Sequence, residues 1–263
     1  MRSGTTALNS YLREHPEVAV SSTKEVHFFD SFYERGVEWY REHFPHSQSA
    51  RAVGEATPNY MFSTTALDRI RDDLPDVKLV VMLRNPIDRA YSHYWHDRAR
   101  GKTEGDFAEN VRRELEGTDP QLDFIARGRY RAQIESILDR FPATALHVEV
   151  FEDMVDRPDD VYTSVCRFIG VDPGFRPKNL GAPVNNFVEF RSLALRHASQ
   201  KLPGRLRDVI GRLNTKRKES YPPMSPRLRN LLAEEFGIAN QGLEGLIGRS
   251  LPWDAASNPP AKP

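Results

Sequence analysis

One short stretch at the start of the sequence carries groups that could hold an anion. Arg2-Ser3-Gly4-Thr5-Thr6 forms a glycine turn that opens a helical pattern. Gly4 lets the backbone approach a ligand closely, and Thr5 and Thr6 offer amides and hydroxyls at a helix amino terminus, which favours anions. Arg2 adds a fixed positive charge with a forked set of donors. The same residues would also suit an ordinary capped helix at a chain terminus.

A second constellation lies in "KLVVMLRNPIDRAYSHYWH". An apolar strand pattern ends at Arg84, and Asn85-Pro86 then turns into a helix that carries Ser92 about two turns later. Ligands of open α/β sheets bind at the carboxyl ends of strands, so a phosphate held by Arg84 and Ser92 is chemically reasonable. The alternative is an Arg84–Asp88 salt bridge beside a solvated serine.

A third stretch, "STKEVHFFD", offers groups for proton transfer. Glu25 and His27 are two residues apart and share one face if the backbone is extended. The apolar neighbours Phe28 and Phe29 would raise the pKa of the glutamate and make it a better base, whereas Lys24 would oppose that shift. A surface glutamate beside a core-edge histidine is the alternative.

The charge pattern changes near residues 192–218, which hold eight Lys or Arg against one Asp. Lys216-Arg217-Lys218 precedes Pro222-Pro223, and a basic loop there would suit closure over a polyanionic ligand. A solvated helix face or a membrane-surface helix fits the charge equally well.

The composition limits the class of protein. The formal net charge of zero argues against nucleic acid as a partner, and the single cysteine, Cys166, excludes an intramolecular disulfide and fits a reducing compartment. No stretch approaches the roughly 18 apolar residues of a membrane span. We therefore expect a soluble, cytoplasmic protein without membrane insertion or a metal cluster, although a segment upstream of Met1 would change the localisation. The oligomeric state is not fixed by the sequence.

Alternating strand and helix patterns predict a doubly wound α/β fold with a parallel sheet. Tyr60 follows the second predicted strand, where it would line a pocket or pack. Strands are predicted at residues 17–22, 51–56, 77–83 and 145–151. Helices are predicted at residues 5–14, 64–73, 86–100, 106–116, 129–141, 158–169, 193–213 and 227–236.

These elements, in this order, resemble the sulfotransferases that use 3′-phosphoadenosine 5′-phosphosulfate (PAPS), and most nearly the heparan-sulfate glucosaminyl type. The resemblance spans nearly the whole chain. It rests on the glycine turn, the Arg84 to Ser92 segment, and the blocks "HPEVAVSSTKEVHFFD", "GVEWYREHFP", "GEATPNY", "RGRYRAQIESILDRFP", "LHVEVFEDMVDRP" and "KRKESYPPMSPRLRNLL".

The resemblance implies a P-loop-like sheet flanked by helices, with a single sulfotransferase domain at residues 1–254 and a disordered tail at 255–263. PAPS would be the co-substrate, and no metal would be required. The first strand of such a fold normally precedes the glycine turn, and none stands before Arg2. We expect Met1 to be an internal methionine, preceded in the gene by an apolar run of about five to eight residues.

The resemblance also assigns roles to individual residues. The 5′-phosphosulfate would be bound by the whole turn, namely Arg2, Ser3, Gly4, Thr5 and Thr6. The remaining cofactor contacts would come from Arg84 and Ser92 at the 3′-phosphate, Tyr130 as a nearby aromatic, and the closing loop Lys216, Arg217 and Lys218. The acceptor side would hold Glu25 as general base, His27 beside it, and Tyr60.

Two positions depart from the family pattern. Arg2 stands where the family has a loop lysine, and arginine donates a proton less readily than lysine. Ala56 stands where many relatives have a lysine of the reaction centre. Without that lysine, Arg2 or His27 would have to supply its contribution to the reaction. The expected reaction is in-line sulfuryl transfer from PAPS to a hydroxyl or amine, on a carbohydrate or a glycosylated or small-molecule metabolite. Two alternatives are an ATP-dependent small-molecule kinase, although no Walker lysine is present, and a catalytically inactive nucleotide-binding or adaptor protein.

Overall fold

The computed structural model describes residues 2–45, 47, 49–182, 188–190, 210, 215–217 and 221–253. These residues form two compact units. Unit 1 comprises the described part of Met1–Asn85 together with Arg129–Ala182 and Phe236–Trp253, and unit 2 comprises Pro86–Gly128 and the described part of Pro183–Glu235. The predicted helix at 193–213, apart from residue 210, and the predicted tail at 255–263 lie outside the described residues.

The strands of unit 1 are parallel. They are β1 (Val18–Val20), β2 (Ala52–Gly54), β3 (Leu79–Leu83) and β4 (Leu146–Val150). β1 pairs with β2, and β3 pairs with β4 so that Leu83 lies opposite Val150. Among the described strands these pairs remain two separate sheets. Parallel strands alternating with helices confirm the predicted α/β fold.

The helices agree closely with the sequence prediction where caps or prolines mark their ends. The main ones are α1 (Thr5–Glu14), α2 (Gly36–Arg41), α3 (Thr64–Asp73), α4 (Pro86–Ala99), α5 (Phe107–Leu115), α6 (Tyr130–Leu138), α7 (Phe151–Asp156), α8 (Pro158–Ile169), α9 (Pro226–Ala239) and α10 (Leu243–Ile247). Ser63 caps α3 by accepting a hydrogen bond from the Ala66 amide at 3.2 Å. The sequence did not predict α2, α7 or α10, and α7 begins directly where β4 ends.

The core of unit 1 covers both faces of β3. Val81 and Leu83 pack into one cluster with Ile134 of α6, whereas Met82 packs into a second cluster with Tyr162 and Cys166 of α8. A strand covered on both faces has apolar residues at successive positions, which explains the continuous apolar run in this part of the sequence. Cys166 is a fully buried free thiol.

Unit 2 contains α4, α5 and a short antiparallel pair of strands, β5 (Val188–Phe190) and β6 (Thr215–Arg217). The buried Arg89 of α4 donates a hydrogen bond to the Phe124 carbonyl oxygen, which fixes the segment after α5. Asp106 caps α5 by accepting from the Glu109 amide at 2.8 Å. No helix in the part of the chain described by the structure combines the length and apolarity needed to cross a bilayer.

The packing of α6 predicts a specific cost for truncating Ile134, which is fully buried. Ile134→Ala should lower the free energy of unfolding by about 2–5 kcal/mol, because the substitution removes buried methyl groups and leaves a cavity. Ile238→Ala is the matched control, since Ile238 is also helical but 71% exposed, and it should change stability by less than about 0.5 kcal/mol. Urea denaturation measures both, and similar effects of the two variants would contradict this assignment of the core.

Candidate active site

The glycine turn has the conformation that its sequence requires. Gly4 is the N-cap of α1 with a φ of 84°, and a Cβ at this position would overlap the Met154 side chain and lie 2.8 Å from Phe151. In the described chain no side chain caps α1, and Thr5 and Thr6 are partly exposed. The Ala7 amide donates to the Gly4 carbonyl oxygen at 2.9 Å, so the amides of Thr5 and Thr6 are the ones at this helix end that can donate to an acceptor from outside the protein.

Arg84 follows β3 and is only 5% exposed. Its Nη1 donates to the Arg2 carbonyl oxygen at 3.2 Å, and its guanidinium lies 4.5 Å from the centre of the Phe151 ring. The Tyr130 hydroxyl donates to the Arg84 carbonyl oxygen at 2.9 Å. The structure thus brings together Arg2, Arg84 and Tyr130, three of the residues predicted to bind the cofactor.

Three residues other than glycine have a left-handed backbone in the described part of the chain. They are Arg2, Glu25 and His27, with φ values of 64°, 61° and 56°. Each such residue costs on the order of 1–3 kcal/mol unless its surroundings stabilise the conformation, and such residues concentrate at functional sites. These are the three residues to which the sequence assigned catalytic roles.

Glu25 and His27 lie close together, but not because the backbone is extended. The extended arrangement considered from the sequence does not occur, since both residues are left-handed. Glu25 Oε2 lies 3.8 Å from His27 Nε2, and Lys24 Nζ contacts the other carboxylate oxygen. The Glu25 side chain is 37% exposed, whereas Phe28 and Phe29 are buried in the core. The carboxylate is therefore accessible to an acceptor and is not enclosed by these aromatic rings.

Asp30 is a site residue that the sequence analysis did not identify. His27 opens a wide helical turn, Phe28–Phe32, and this turn places the Asp30 carboxylate 2.9 Å from His27 Nδ1. Asn59 donates to the same carboxylate at 2.6 Å. Burial alone would raise the pKa of Asp30, but the hydrogen bonds from His27 and Asn59 outweigh it and hold the pKa below its usual range. The three-residue spacing from His27 was the available signal.

The segment after β2 holds the loop that carries Glu25 and His27 in place through hydrogen bonds. Glu55 accepts hydrogen bonds from the Val26 amide at 3.3 Å, from the Tyr60 hydroxyl at 2.9 Å, and from Thr57. The His27 amide donates to the Thr57 hydroxyl at 3.4 Å. Burial, reinforced by the Glu55 carboxylate, raises the pKa of Tyr60 above its usual range, so this hydroxyl remains a donor. Tyr60 therefore holds the loop in place through Glu55.

In unit 2, Ser92 lies on α4 and is 1% exposed, with its hydroxyl 3.1 Å from the Tyr221 hydroxyl. Asp88, on the same helix, pairs with Arg229 of α9 at 2.6 Å. Lys216 and Arg217 belong to β6, of which the structure describes the backbone, and Lys218 lies outside the described residues.

A cavity of about 570 Å3 lies elsewhere in unit 1, beside the first residues of β4. Its polar lining includes His147, Glu149 and Ser164. The Glu149 carboxylate and the Ser164 hydroxyl both contact His147 Nε2, at 2.8 and 3.1 Å, so they share one ring nitrogen. A hydrolytic triad needs the carboxylate and the hydroxyl on opposite nitrogens, and this group does not provide that arrangement.

The acidic, histidine and cysteine side chains of the described residues form no group of three that could hold a metal ion.

Comparison with known proteins matches residues 1–187 to the family model described as "Sulfotransferase domain". Heparan sulfate glucosamine 3-O-sulfotransferase 6 of Homo sapiens is 33% identical over 171 residues, which are 65% of this chain and 50% of that protein. The membrane-associated sulfotransferase kil1 of Dictyostelium discoideum is 41% identical over 97 residues, which are 36% of this chain and 21% of that protein. The chain thus spans half or less of these two relatives.

The fold has a counterpart among solved structures. A sulfotransferase from Alicyclobacillus acidocaldarius is 28% identical and superposes with a TM-score of 0.73, covering 95% of this chain and 93% of that one. Because the family model also matches well over half of the residues, the chain belongs to the sulfotransferase family.

Proposed function

We propose that this chain transfers a sulfuryl group from PAPS to a hydroxyl or amine of a carbohydrate or glycosylated metabolite. The observation that carries the proposal is the left-handed backbone shared by Arg2, Glu25 and His27, because strained residues of this kind concentrate at functional sites. Membership of the sulfotransferase family favours sulfuryl transfer over the kinase alternative. A carbohydrate acceptor is proposed because the matched relative from Homo sapiens is named as a heparan sulfate glucosamine sulfotransferase.

The residues of unit 1 fit an anionic nucleotide donor. The open amino terminus of α1 offers backbone N–H groups and the positive end of the helix dipole to a phosphosulfate. Arg2 adds a guanidinium, and Arg84 is proposed to contact the 3′-phosphate, with Tyr130 fixing the backbone that carries it. Ser92 of unit 2 is a further proposed donor to the nucleotide, and Lys216, Arg217 and Lys218 are proposed to close over it.

Glu25 is the proposed general base. Its accessible carboxylate accepts the proton of the acceptor hydroxyl or amine while the sulfur forms its new bond and the bond to the departing phosphate oxygen breaks. Arg2 and the amides of Thr5 and Thr6 stabilise the charge that develops on that phosphate. His27, oriented by Asp30 and placed 3.8 Å from Glu25, is positioned to contact the same acceptor group.

Replacing the proposed base tests the chemistry. Glu25→Gln keeps the size and polarity of the side chain but cannot accept a proton, so turnover of labelled PAPS should fall about 10²–10⁴-fold. Calorimetric binding of 3′-phosphoadenosine 5′-phosphate (PAP) should be unchanged. Glu38→Gln, at an exposed position on α2, is the control and should retain full turnover. Undiminished turnover of the Glu25 variant would show that this residue is not the base.

Arg84 predicts a selective loss of nucleotide binding. Arg84→Ala removes charged hydrogen-bond donors worth about 1.5–3 kcal/mol, so PAP should bind roughly 10–150-fold more weakly. The affinity for adenosine 5′-phosphosulfate, which lacks the 3′-phosphate, should fall much less. Arg71→Ala on the exposed face of α3 is the control and should change neither affinity. Equal losses for both nucleotides would rule out a contact between Arg84 and the 3′-phosphate.

Asp30 predicts linked effects on turnover and acid stability. Asp30→Asn removes the ionised partner of His27, and kcat should fall by about tenfold or more without loss of PAP affinity. A carboxyl whose pKa is lowered by folding stabilises the protein above its unfolded pKa of about 3.9, and that contribution is lost as the pH falls through the folded pKa.

The difference in unfolding free energy between wild type and Asp30→Asn should therefore shrink as the pH falls below about 4. Asp72→Asn, with an exposed side chain, is the control for both measurements. A difference that is independent of pH would contradict the proposed ion pair between Asp30 and His27.

A further inference from the structure

Ser92 and Tyr221 are 129 residues apart in the sequence, yet their hydroxyl oxygens lie 3.1 Å apart in unit 2. Ser92 is 1% exposed, so its hydroxyl contacts groups that the fold itself selects. The sequence assigned a cofactor role to Ser92 and none to Tyr221.

Aromatic packing on α4 fixes the position of the Tyr221 ring. The ring stacks on Trp95 with centroids 6.1 Å apart and an interplanar angle of 10°, and it meets Tyr91 edge-on at 6.0 Å. The Tyr91 hydroxyl in turn donates to the Pro222 carbonyl oxygen at 2.8 Å. The ring contacts with Trp95 and Tyr91, and the hydrogen bond at the next residue, restrict movement of the Tyr221 hydroxyl away from Ser92.

A second anchor holds the chain that follows. Arg229 of α9 pairs with Asp88 at 2.6 Å, and Asp88 lies one helical turn before Ser92 on α4. Residues 221–229 are therefore attached to α4 at both ends. This segment begins four residues after β6, which carries Lys216 and Arg217.

The direction of the hydroxyl–hydroxyl bond determines what Ser92 can do. A serine hydroxyl has one proton, and if that proton goes to Tyr221, only lone pairs remain for a ligand. If Tyr221 donates instead, this bond does not use the Ser92 proton, which can then be donated to a phosphate oxygen, and the two bonds strengthen each other in a chain. An anion can accept a hydrogen bond from Ser92 only in the second arrangement.

We infer that Tyr221 is a positioning residue that directs the Ser92 hydroxyl proton toward the 3′-phosphate of the nucleotide. It also ties recognition of that phosphate to the chain segment that follows the basic strand β6. This inference rests on the proposed function, in which Ser92 contacts the nucleotide.

Tyr221→Phe tests the inference, because it removes the hydroxyl and keeps the stacking ring. The affinity for PAP, measured by calorimetry, should fall about 2–10-fold, the effect of one neutral hydrogen bond. The affinity for adenosine 5′-phosphosulfate should not change, which separates this role from a general loss of structure. Tyr94→Phe is the matched control, since Tyr94 also lies on α4 but its hydroxyl donates to the Gly105 carbonyl oxygen, in the loop after this helix. That control should leave both affinities unchanged, and melting curves should show that both variants are folded.

Ser92→Ala and the double variant distinguish the ways in which the inference can fail. Ser92→Ala should weaken the binding of PAP but not of adenosine 5′-phosphosulfate. Adding Tyr221→Phe to this variant should then cause no further loss of PAP affinity. The inference is wrong if Ser92→Ala selectively weakens PAP binding but Tyr221→Phe does not. It is also wrong if the losses of PAP affinity from the two substitutions add in the double variant. In both cases the proposed role of Ser92 stands. If Ser92→Ala has no selective effect, the assignment of Ser92 in the proposed function fails, and the inference fails with it.

Discussion

The parallel register of β3 and β4 is the constraint on which the candidate site depends. Leu83 lies opposite Val150 in the β3–β4 register, so Arg84 and Phe151 follow at neighbouring strand ends and the guanidinium meets the ring. Phe151 also packs where a side chain at Gly4 would stand. A cation that is 5% exposed is stable only if its donors and its charge are satisfied, and here the glycine turn helps to satisfy them. The strand register therefore fixes the turn, and the turn fixes the amino terminus of α1.

The loop that carries Glu25 and His27 is held by a different means. Its left-handed residues are unfavourable by themselves, and Glu55 offsets this cost by accepting hydrogen bonds from Val26, Thr57 and Tyr60. These contacts join the end of β2 to the loop after β1, and the wide turn at Phe28–Phe32 adds the pairing of Asp30 with His27. Glu55, which has no proposed part in the reaction, thus holds the loop that carries Glu25, the proposed base.

The sequence predicted the features that local interactions determine, and it missed those that depend on residues distant in the chain. The ends of α1, α3 and α8 follow from a glycine, a serine cap and a proline, and the alternation of apolar strands with helices predicted the parallel α/β arrangement. The left-handed backbone of Glu25 and His27 was not predicted, because an extended backbone is the default for such a stretch and the left-handed alternative depends on Glu55, about thirty residues away. Asp30 was missed for the same reason, since the three-residue spacing brings it close to His27 only in a helical turn, and this stretch was expected to be extended.

Ser92 shows how a side chain acquires a defined chemical role only within the fold. From the sequence it is a hydroxyl that can donate or accept in any direction. Burial on α4 removes water as a competing partner, and Tyr221 then provides a neighbour whose ring is fixed by Trp95 and Tyr91. The two hydroxyls can form their hydrogen bond in either direction, and an anion beside the serine favours the direction in which Tyr221 donates. In the proposed complex, the preference for one proton direction is therefore a property of the pair and the nucleotide together, and Ser92 would gain its specificity from a partner that need not touch the nucleotide.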